Sequence, residues 1–171
     1  MKKRVYIVSL FVLCFLLIIS MLWYTNPQAQ LQRSMQNYAN LLSNDIPQDF
    51  RLTIYYMSPR IFTRAPLSVD DLKTHSETKK IVVHSDELSA HITLLKKMDA
   101  SILQPNKENA YVNARIYYVF ETDSNSKLLD VTINSIHGNS FVNGIAVEDN
   151  PILYDLIIPF LSEEDREILH I

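Results

Sequence analysis

A continuous apolar stretch fills residues 5–24, VYIVSLFVLCFLLIISMLWY, and it contains no charged side chain. A helix rises about 1.5 Å per residue, so this length matches the roughly 30 Å hydrocarbon core of a bilayer. Lys2, Lys3 and Arg4 precede the stretch, and basic residues in this position stay on the cytoplasmic side. The pattern therefore predicts a cytoplasmic basic tail at 1–4, an uncleaved transmembrane signal anchor at 5–24, and a remainder that lies outside the cytoplasm.

Three other interpretations of this stretch compete with the anchor. A cleaved signal peptide usually has a shorter apolar run and a small-residue site, and the best candidate site here contains Pro27, which fits poorly. Lipidation of Cys14 would need a small residue just before it, but Leu13 is there. A buried helix of a soluble protein would not explain why the basic residues lie at one end only. The anchor is favoured, and it makes this a single-pass protein of the cell membrane.

Beyond the anchor, the apolar residues return at helical spacing. Leu31, Met35, Tyr38 and Leu42 lie four, three and four positions apart, which places them on one side of a helix. The Asn-Pro pair upstream is a typical helix start, because Asn caps the first turn and Pro needs no N–H there. We therefore predict an amphipathic juxtamembrane helix over 26–45. Its stripe is expected to pack on the chain's own sheet, and binding to a partner or to a second copy is the alternative.

Strand-like alternation dominates the rest of the chain. The Asn143-Gly144 pair is typical of a tight hairpin, and short turns force neighbouring strands to be antiparallel. The expected strands are 51–57, 79–84, 114–123, 127–136 and one strand or a hairpin within 139–149, and the expected helices begin near Ser68, Ser85 (running to about Asp99), Asn150 and Ser162. The sequence thus predicts an α+β fold: an N-terminal transmembrane helix, then an extracytoplasmic α+β domain, 46–171, in which helices pack on one face of an antiparallel sheet.

Composition removes several classes of function. The chain has two glycines, Gly138 and Gly144, so it lacks the glycine-rich loops that bind nucleotides. The basic tail holds three of the 16 basic residues, and the 13 that remain are outnumbered by 19 acidic residues, which disfavours nucleic acid. Cys14 is the single cysteine, so neither an intrachain disulfide nor a cysteine-based zinc site can form. We predict no cofactor, no nucleotide and no nucleic-acid partner.

The segment HSDELSAH, residues 84–91, holds the densest group of potential metal ligands. His84, Asp86 and His91 are the candidate ligands, and with Glu87 they define an alternative function as a metal-dependent hydrolase. A zinc-binding helix places two histidines four residues apart, however, and these are seven apart. A helix start explains the same residues, because Ser85 would cap the helix, the acids would lie at its positive end, and His91 would lie within reach of Glu87. The helix start is favoured, so we assign no metal ligand and no catalytic residue.

Arg51, Tyr55, Arg115 and Tyr117 form a candidate binding face. Each of these tyrosines belongs to an adjacent pair on a strand, so one ring of each pair points to each face of the sheet. The four candidates share the outward face if the other tyrosine of each pair points into the core. Tyr and Arg are enriched at protein interfaces. A second core layer, with helices covering this face as well, is the alternative and is favoured over an exposed face.

The anchor and the missing catalytic motifs favour a non-enzymatic binding or assembly role, with a protein partner in a bacterial cell envelope. The metal-dependent hydrolase is the first alternative. The second alternative is a sensor domain that binds a small ligand between sheet and helix.

Overall fold

The computed structural model describes residues 25–44, 46–106, 111–123, 126–134 and 140–169. They form an α+β domain in which helices pack on a six-stranded antiparallel sheet, and this fold class is the predicted one. The predicted basic tail and transmembrane anchor lie outside the described residues. Within the described ranges, no helix combines the length and the apolar character that crossing a bilayer requires.

The sheet has the spatial order β2-β1-β3-β4-β5-β6, and every neighbouring pair is antiparallel. The strands are β1 (Arg51–Tyr56), β2 (Lys79–His84), β3 (Ala114–Glu121), β4 (Lys127–Asn134), β5 (Ser140–Val142) and β6 (Ile145–Val147). The α-helices are α1 (Pro27–Ser43), α2 (Val69–Thr74), α3 (Ser85–Ala90), α4 (Ile92–Leu95), α5 (Ile152–Asp155) and α6 (Glu163–Leu169), with 3₁₀ turns at Ala100–Ile102 and Ile158–Phe160. Each predicted strand is present, with ends that differ by a few residues.

The long helix α1 begins as its sequence predicts. The Asn26 side chain accepts a hydrogen bond from the backbone N–H of Gln28 at 3.0 Å, and Pro27 occupies the first turn, where no N–H is needed. The whole predicted stripe of Leu31, Met35, Tyr38 and Leu42 is buried. Because these side chains belong to the main core, the prediction that the helix packs on its own sheet is confirmed.

Aromatic contacts tie α1 to the centre of the sheet. The Tyr38 ring lies 5.3 Å from the Phe120 ring of β3, which stacks in turn on Phe50 at 5.7 Å. The Tyr38 hydroxyl also donates a hydrogen bond to the Leu95 carbonyl at 3.2 Å, so its one polar group is satisfied inside the core. The helix is therefore part of the domain core.

The hairpin between β5 and β6 turns at Asn143 and Gly144, as predicted. Their φ angles are 48° and 77°, so both central residues adopt the left-handed conformation of a type I′ turn. The Asn143 side chain accepts a hydrogen bond from the Asp130 N–H at 2.9 Å and donates one to the Ser34 carbonyl at 2.7 Å. This turn residue thus connects the hairpin to both β4 and α1.

The expectation that helices cover one face of the sheet is wrong. A second, smaller cluster lies on the opposite face, where β3 meets α2 and the loop before it; its buried members are Met57, Leu67, Leu72, Ala114, Tyr117 and Val119. The reason lies in β3, which is buried at seven of its eight positions. A central strand that is apolar on both sides needs cover on both faces.

The helix expected from Ser85 to about Asp99 is shorter and divided. The α3 helix ends at Ala90, because the backbone of the next residue, His91 (φ −110°, ψ 16°), leaves the helical region, and α4 follows as a single turn. Ser85 is not the N-cap, because it is already the first helical residue and its hydroxyl donates to the Gln48 carbonyl at 2.9 Å. The predicted cap residue therefore joins α3 to the segment before β1.

Candidate binding surface

The two tyrosines of the predicted binding face lie together, but other parts of the chain cover them. The Tyr55 and Tyr117 rings are 6.2 Å apart on neighbouring strands β1 and β3. Tyr117 is only 5% exposed and Arg115 only 8% exposed, since α2 and the 58–67 loop lie over them. The favoured interpretation of a second core layer therefore applies to Tyr117 and Arg115. Tyr55 remains half-buried.

Two lysine side chains place their ammonium groups over the rings of this tyrosine pair. The Lys73 ammonium lies 4.5 Å from the centre of the Tyr117 ring, and the Lys80 ammonium lies 5.4 Å from that of Tyr55. Both distances suit cation–π attraction. Burial raises the pKa of the Tyr117 phenol, and the nearby carboxylates of Asp130 and Glu121 raise it further. Tyr117 is therefore a packed, neutral residue of the second core layer, and the Tyr55 ring packs beside it.

Arg51, the fourth candidate, is at the surface but already paired. Its Nε lies 2.9 Å from Glu121, and its Nη1 lies 2.9 Å from Asp123. Hydrogen bonding and ion pairing with Glu121, assisted by the charge of Asp123, raise the pKa of Arg51. An acidic partner would have to displace these carboxylates, so Arg51 is a weak anchor for such a partner.

The surface above the covered tyrosines is the 58–67 loop, SPRIFTRAPL. Apolar side chains fix its base, because Met57 and Leu67 are buried and Ile61 packs against them. Backbone groups fix it as well: the Leu67 carbonyl accepts from the Ala114 N–H at 2.9 Å, and Ile61 N–H donates to the Ser58 carbonyl at 3.1 Å. Both ends of the loop are therefore anchored on the second core layer.

At its tip the loop presents a large apolar ring to solvent. Phe62 is 96% exposed, and the side chains of Arg60 and Arg64 on either side of it are exposed as well. Beside the tip runs an open groove of about 650 Å³, lined by Phe62, Thr63, Arg64, Ala65, Pro66, Leu67, Asp71, Thr74 and His75. Aromatic and arginine side chains therefore mark this surface, although they are not the four predicted from the strands.

Beneath the loop, the Arg115 guanidinium is buried and has no charged partner in the part of the chain that the structure describes. Its Nη2 donates to the Thr63 hydroxyl at 3.4 Å, a long bond, while Nε and Nη1 have no hydrogen-bond acceptor among the described residues. None of the ion pairs in the described part of the chain includes it. Burial lowers the pKa of the Arg115 guanidinium.

The candidate metal ligands of residues 84–91 have separate environments. His84 is exposed at the end of β2, and Asp86 and Glu87 are exposed in the first turn of α3, as the helix-start interpretation expects. The His91 ring packs edge-on against Phe160 with 5.1 Å between ring centres. Among the residues that the structure describes, no three His, Cys, Asp or Glu side chains are grouped as a metal site would need.

A polar cluster joins the edge strand β2 to the C-terminal helix α6. The Asp165 carboxylate lies 3.0 Å from the Lys79 ammonium and accepts from the Ser162 hydroxyl at 2.7 Å, and the Tyr56 hydroxyl also bonds to it. Ser162 caps α6 by accepting from the Asp165 N–H at 3.1 Å, so this predicted helix start is confirmed. Burial acts to raise the pKa of Asp165, but the hydrogen bonds from Tyr56, Ser162 and Lys79 outweigh it and hold the pKa at about 2.

We expect Asp165→Asn to lower the free energy of unfolding at neutral pH by about 2 kcal/mol, the equivalent of the pKa depression. Because the folded pKa is below the unfolded value of 3.8, this contribution is complete above about pH 5 and is lost as the pH falls toward 2. Urea unfolding of both proteins between pH 3 and pH 7 measures it. A difference that does not shrink below about pH 4 would show that Asp165 acts through something other than its charge.

Comparisons with protein-family models, with curated proteins and with solved structures found no match to this chain.

Proposed function

We propose that this chain is a membrane-anchored binding module that works outside the cytoplasm in a bacterial cell envelope, and that the 58–67 loop contacts its protein partner. The apolar run at 5–24 with its basic flank supports the anchor and its orientation. One observation carries the binding role: Phe62 is 96% exposed at the tip of a loop whose base is fixed.

The fixed base matters because binding costs conformational entropy. A mobile loop would lose much of its contact energy on being ordered, whereas a loop that is already held keeps that energy for the partner. The base of the loop is anchored at Met57, Ile61 and Leu67. The ring of Phe62 is therefore presented in advance, in the way that an anchor residue fills a pocket of its partner.

The charge of the loop indicates what the partner offers. Residues 58–67 contain Arg60 and Arg64 and no acidic residue, in a chain whose formal net charge is −3. Opposite charges across an interface speed encounter and fix its register, while an apolar pocket supplies the affinity. The partner is therefore expected to combine an apolar pocket for Phe62 with acidic groups at its rim.

Phe62→Ala is expected to weaken partner binding by about 30-fold, the loss typical of a central aromatic anchor. Because the ring contacts solvent, the stability of the domain should change by no more than about 0.5 kcal/mol. In-cell crosslinking of the tagged full-length protein, followed by mass spectrometry of the crosslinked proteins, first identifies the partner. The affinity of the purified full-length protein for that partner is then measured with and without the substitution.

Tyr111→Ala is the matched control, because Tyr111 is another exposed aromatic residue, at 72%, outside the loop. Crosslinking that disappears with Phe62→Ala and persists with Tyr111→Ala supports the proposal. Partner recovery that is equal with both variants, at equal affinity, contradicts it.

A further inference from the structure

Arg115 occupies a position that is unfavourable for an arginine in the unbound protein. It is 8% exposed, and two of its three guanidinium nitrogens have no acceptor among the described residues. Moving a charged group out of water costs several kcal/mol unless an opposite charge and hydrogen bonds compensate for it. Arg51, by contrast, has two carboxylates at 2.9 Å. Among the described residues, nothing supplies the anion that would compensate Arg115 in the same way.

The Thr63 side chain separates Arg115 from the open groove. Thr63 lines the open groove beside the loop tip, and its hydroxyl is also the single hydrogen-bond partner of the guanidinium among the described residues. That bond is long at 3.4 Å, while the same hydroxyl donates a shorter bond to the Ala65 carbonyl at 2.8 Å. A group bound in the groove is therefore one side chain away from the buried guanidinium.

The preference for an anion comes from Arg115 beneath the groove, because the groove wall itself carries one arginine and one aspartate. Arg64 forms part of its wall. Asp71 is the one acid in that wall, and its carboxylate is already occupied by the N–H and hydroxyl of Ser68, at 3.2 and 2.7 Å. Arginine presents a planar fork of donors that suits carboxylate and phosphate oxygens.

We infer that Arg115 is the binding residue of an oxyanion site that Thr63 and the 58–67 loop cover in the unbound protein, and that the group it takes is a carboxylate of the protein partner. This inference rests on the proposed function for the source of the carboxylate. The site itself depends only on Arg115 and the groove, so small anions test it without the partner.

The test is the thermal unfolding of the full-length protein in detergent as sodium acetate or inorganic phosphate replaces chloride at constant ionic strength. With acetate at about ten times its Kd, the Tm of the unsubstituted protein should be about 3 °C higher, and above Kd it should rise with the logarithm of the acetate concentration, because a ligand that binds only the folded state stabilises it. In Arg115→Met this rise should be lost. Arg115→Lys, which retains the charge without the fork, should show a smaller rise.

Arg60→Met serves as the control, since Arg60 is on the same loop but does not line the groove. It should retain the acetate response. A rise of equal size in Arg115→Met, or no rise in the unsubstituted protein with either anion, overturns the site. A response to phosphate alone overturns the carboxylate assignment and identifies a phosphate group as the ligand. Both outcomes are independent of the Phe62 crosslinking result, so failure of the site and failure of the binding role are distinguishable.

Discussion

A variant that begins at Ile46 is expected not to fold, whereas one that begins at Thr25 is expected to unfold cooperatively. The shorter variant lacks α1 and with it four buried side chains of the main core, Leu31, Met35, Tyr38 and Leu42. Burial of such side chains contributes about 1.5–3 kcal/mol each, so their loss removes roughly 6–12 kcal/mol. A domain of this size is stable by only about 5–15 kcal/mol in total.

The loss is larger than the side chains alone suggest, because removal of α1 uncovers Phe120 at the centre of the sheet. Urea unfolding followed by circular dichroism distinguishes the two variants, and the Thr25 variant controls for removal of the apolar N-terminal segment. A cooperative transition in the Ile46 variant, with a midpoint close to that of the longer one, would show that α1 is an accessory to the domain rather than part of its core.

Arg115→Met is expected to do the opposite and raise the free energy of unfolding by about 1–4 kcal/mol. The substitution replaces a buried guanidinium, which has no charged partner among the described residues, by a flexible apolar side chain of similar length. Most substitutions of buried residues destabilise a protein, so a gain here would be diagnostic of a charge that the fold does not need.

Equilibrium urea unfolding of the full-length protein in chloride buffer without acetate or phosphate measures this gain. Arg51→Met is the informative comparison, because Arg51 has two carboxylate partners and its loss should be neutral or destabilising. If Arg115→Met destabilises the protein as much as an ordinary core substitution does, then the guanidinium contributes packing that outweighs the cost of its charge. A gain in stability, in contrast, would agree with the common observation that natural proteins give up stability at their binding sites.

Local signals in the sequence predicted the elements well. Helix caps and turn residues act over a few positions, so the Asn26 cap, the Ser162 cap and the Asn143-Gly144 turn could be recognised without knowledge of the fold. Ser85 shows the limit of such signals. A serine before two acids is a typical cap, but here the carbonyl of Gln48, distant in sequence, competes for its hydroxyl.

Burial on the second face could not be derived from periodicity. Alternation places the side chains of Tyr117 and Tyr118 on opposite faces of the sheet, but it does not indicate whether another element covers the outer face. The cover comes from α2 and the 58–67 loop, whose position depends on tertiary packing. A shift in the β3–β4 register between Ala114 and Ile116 adds an irregularity at Arg115 that the sequence does not reveal.

The exposed loop tip was missed for a related reason. The segment RIFTR, between Pro59 and Pro66, has the composition of an interface, but a phenylalanine in a proline-rich loop is more often buried than exposed. Only the structure shows that Ile61 packs inward while Phe62 is left in solvent. The proline spacing, which holds a short apolar segment at the surface, was the available signal.

The close succession of the apolar segment and α1 limits where the domain can be. With the proposed anchor ending at Tyr24, only Thr25 and Asn26 precede the first turn of a helix that is built into the domain core. A connection of two residues allows almost no excursion, unlike a flexible tether of tens of residues, whose reach grows with the square root of its length. The domain would then be held close to the membrane with little freedom to move relative to it. A partner would then have to meet the domain close to the bilayer surface.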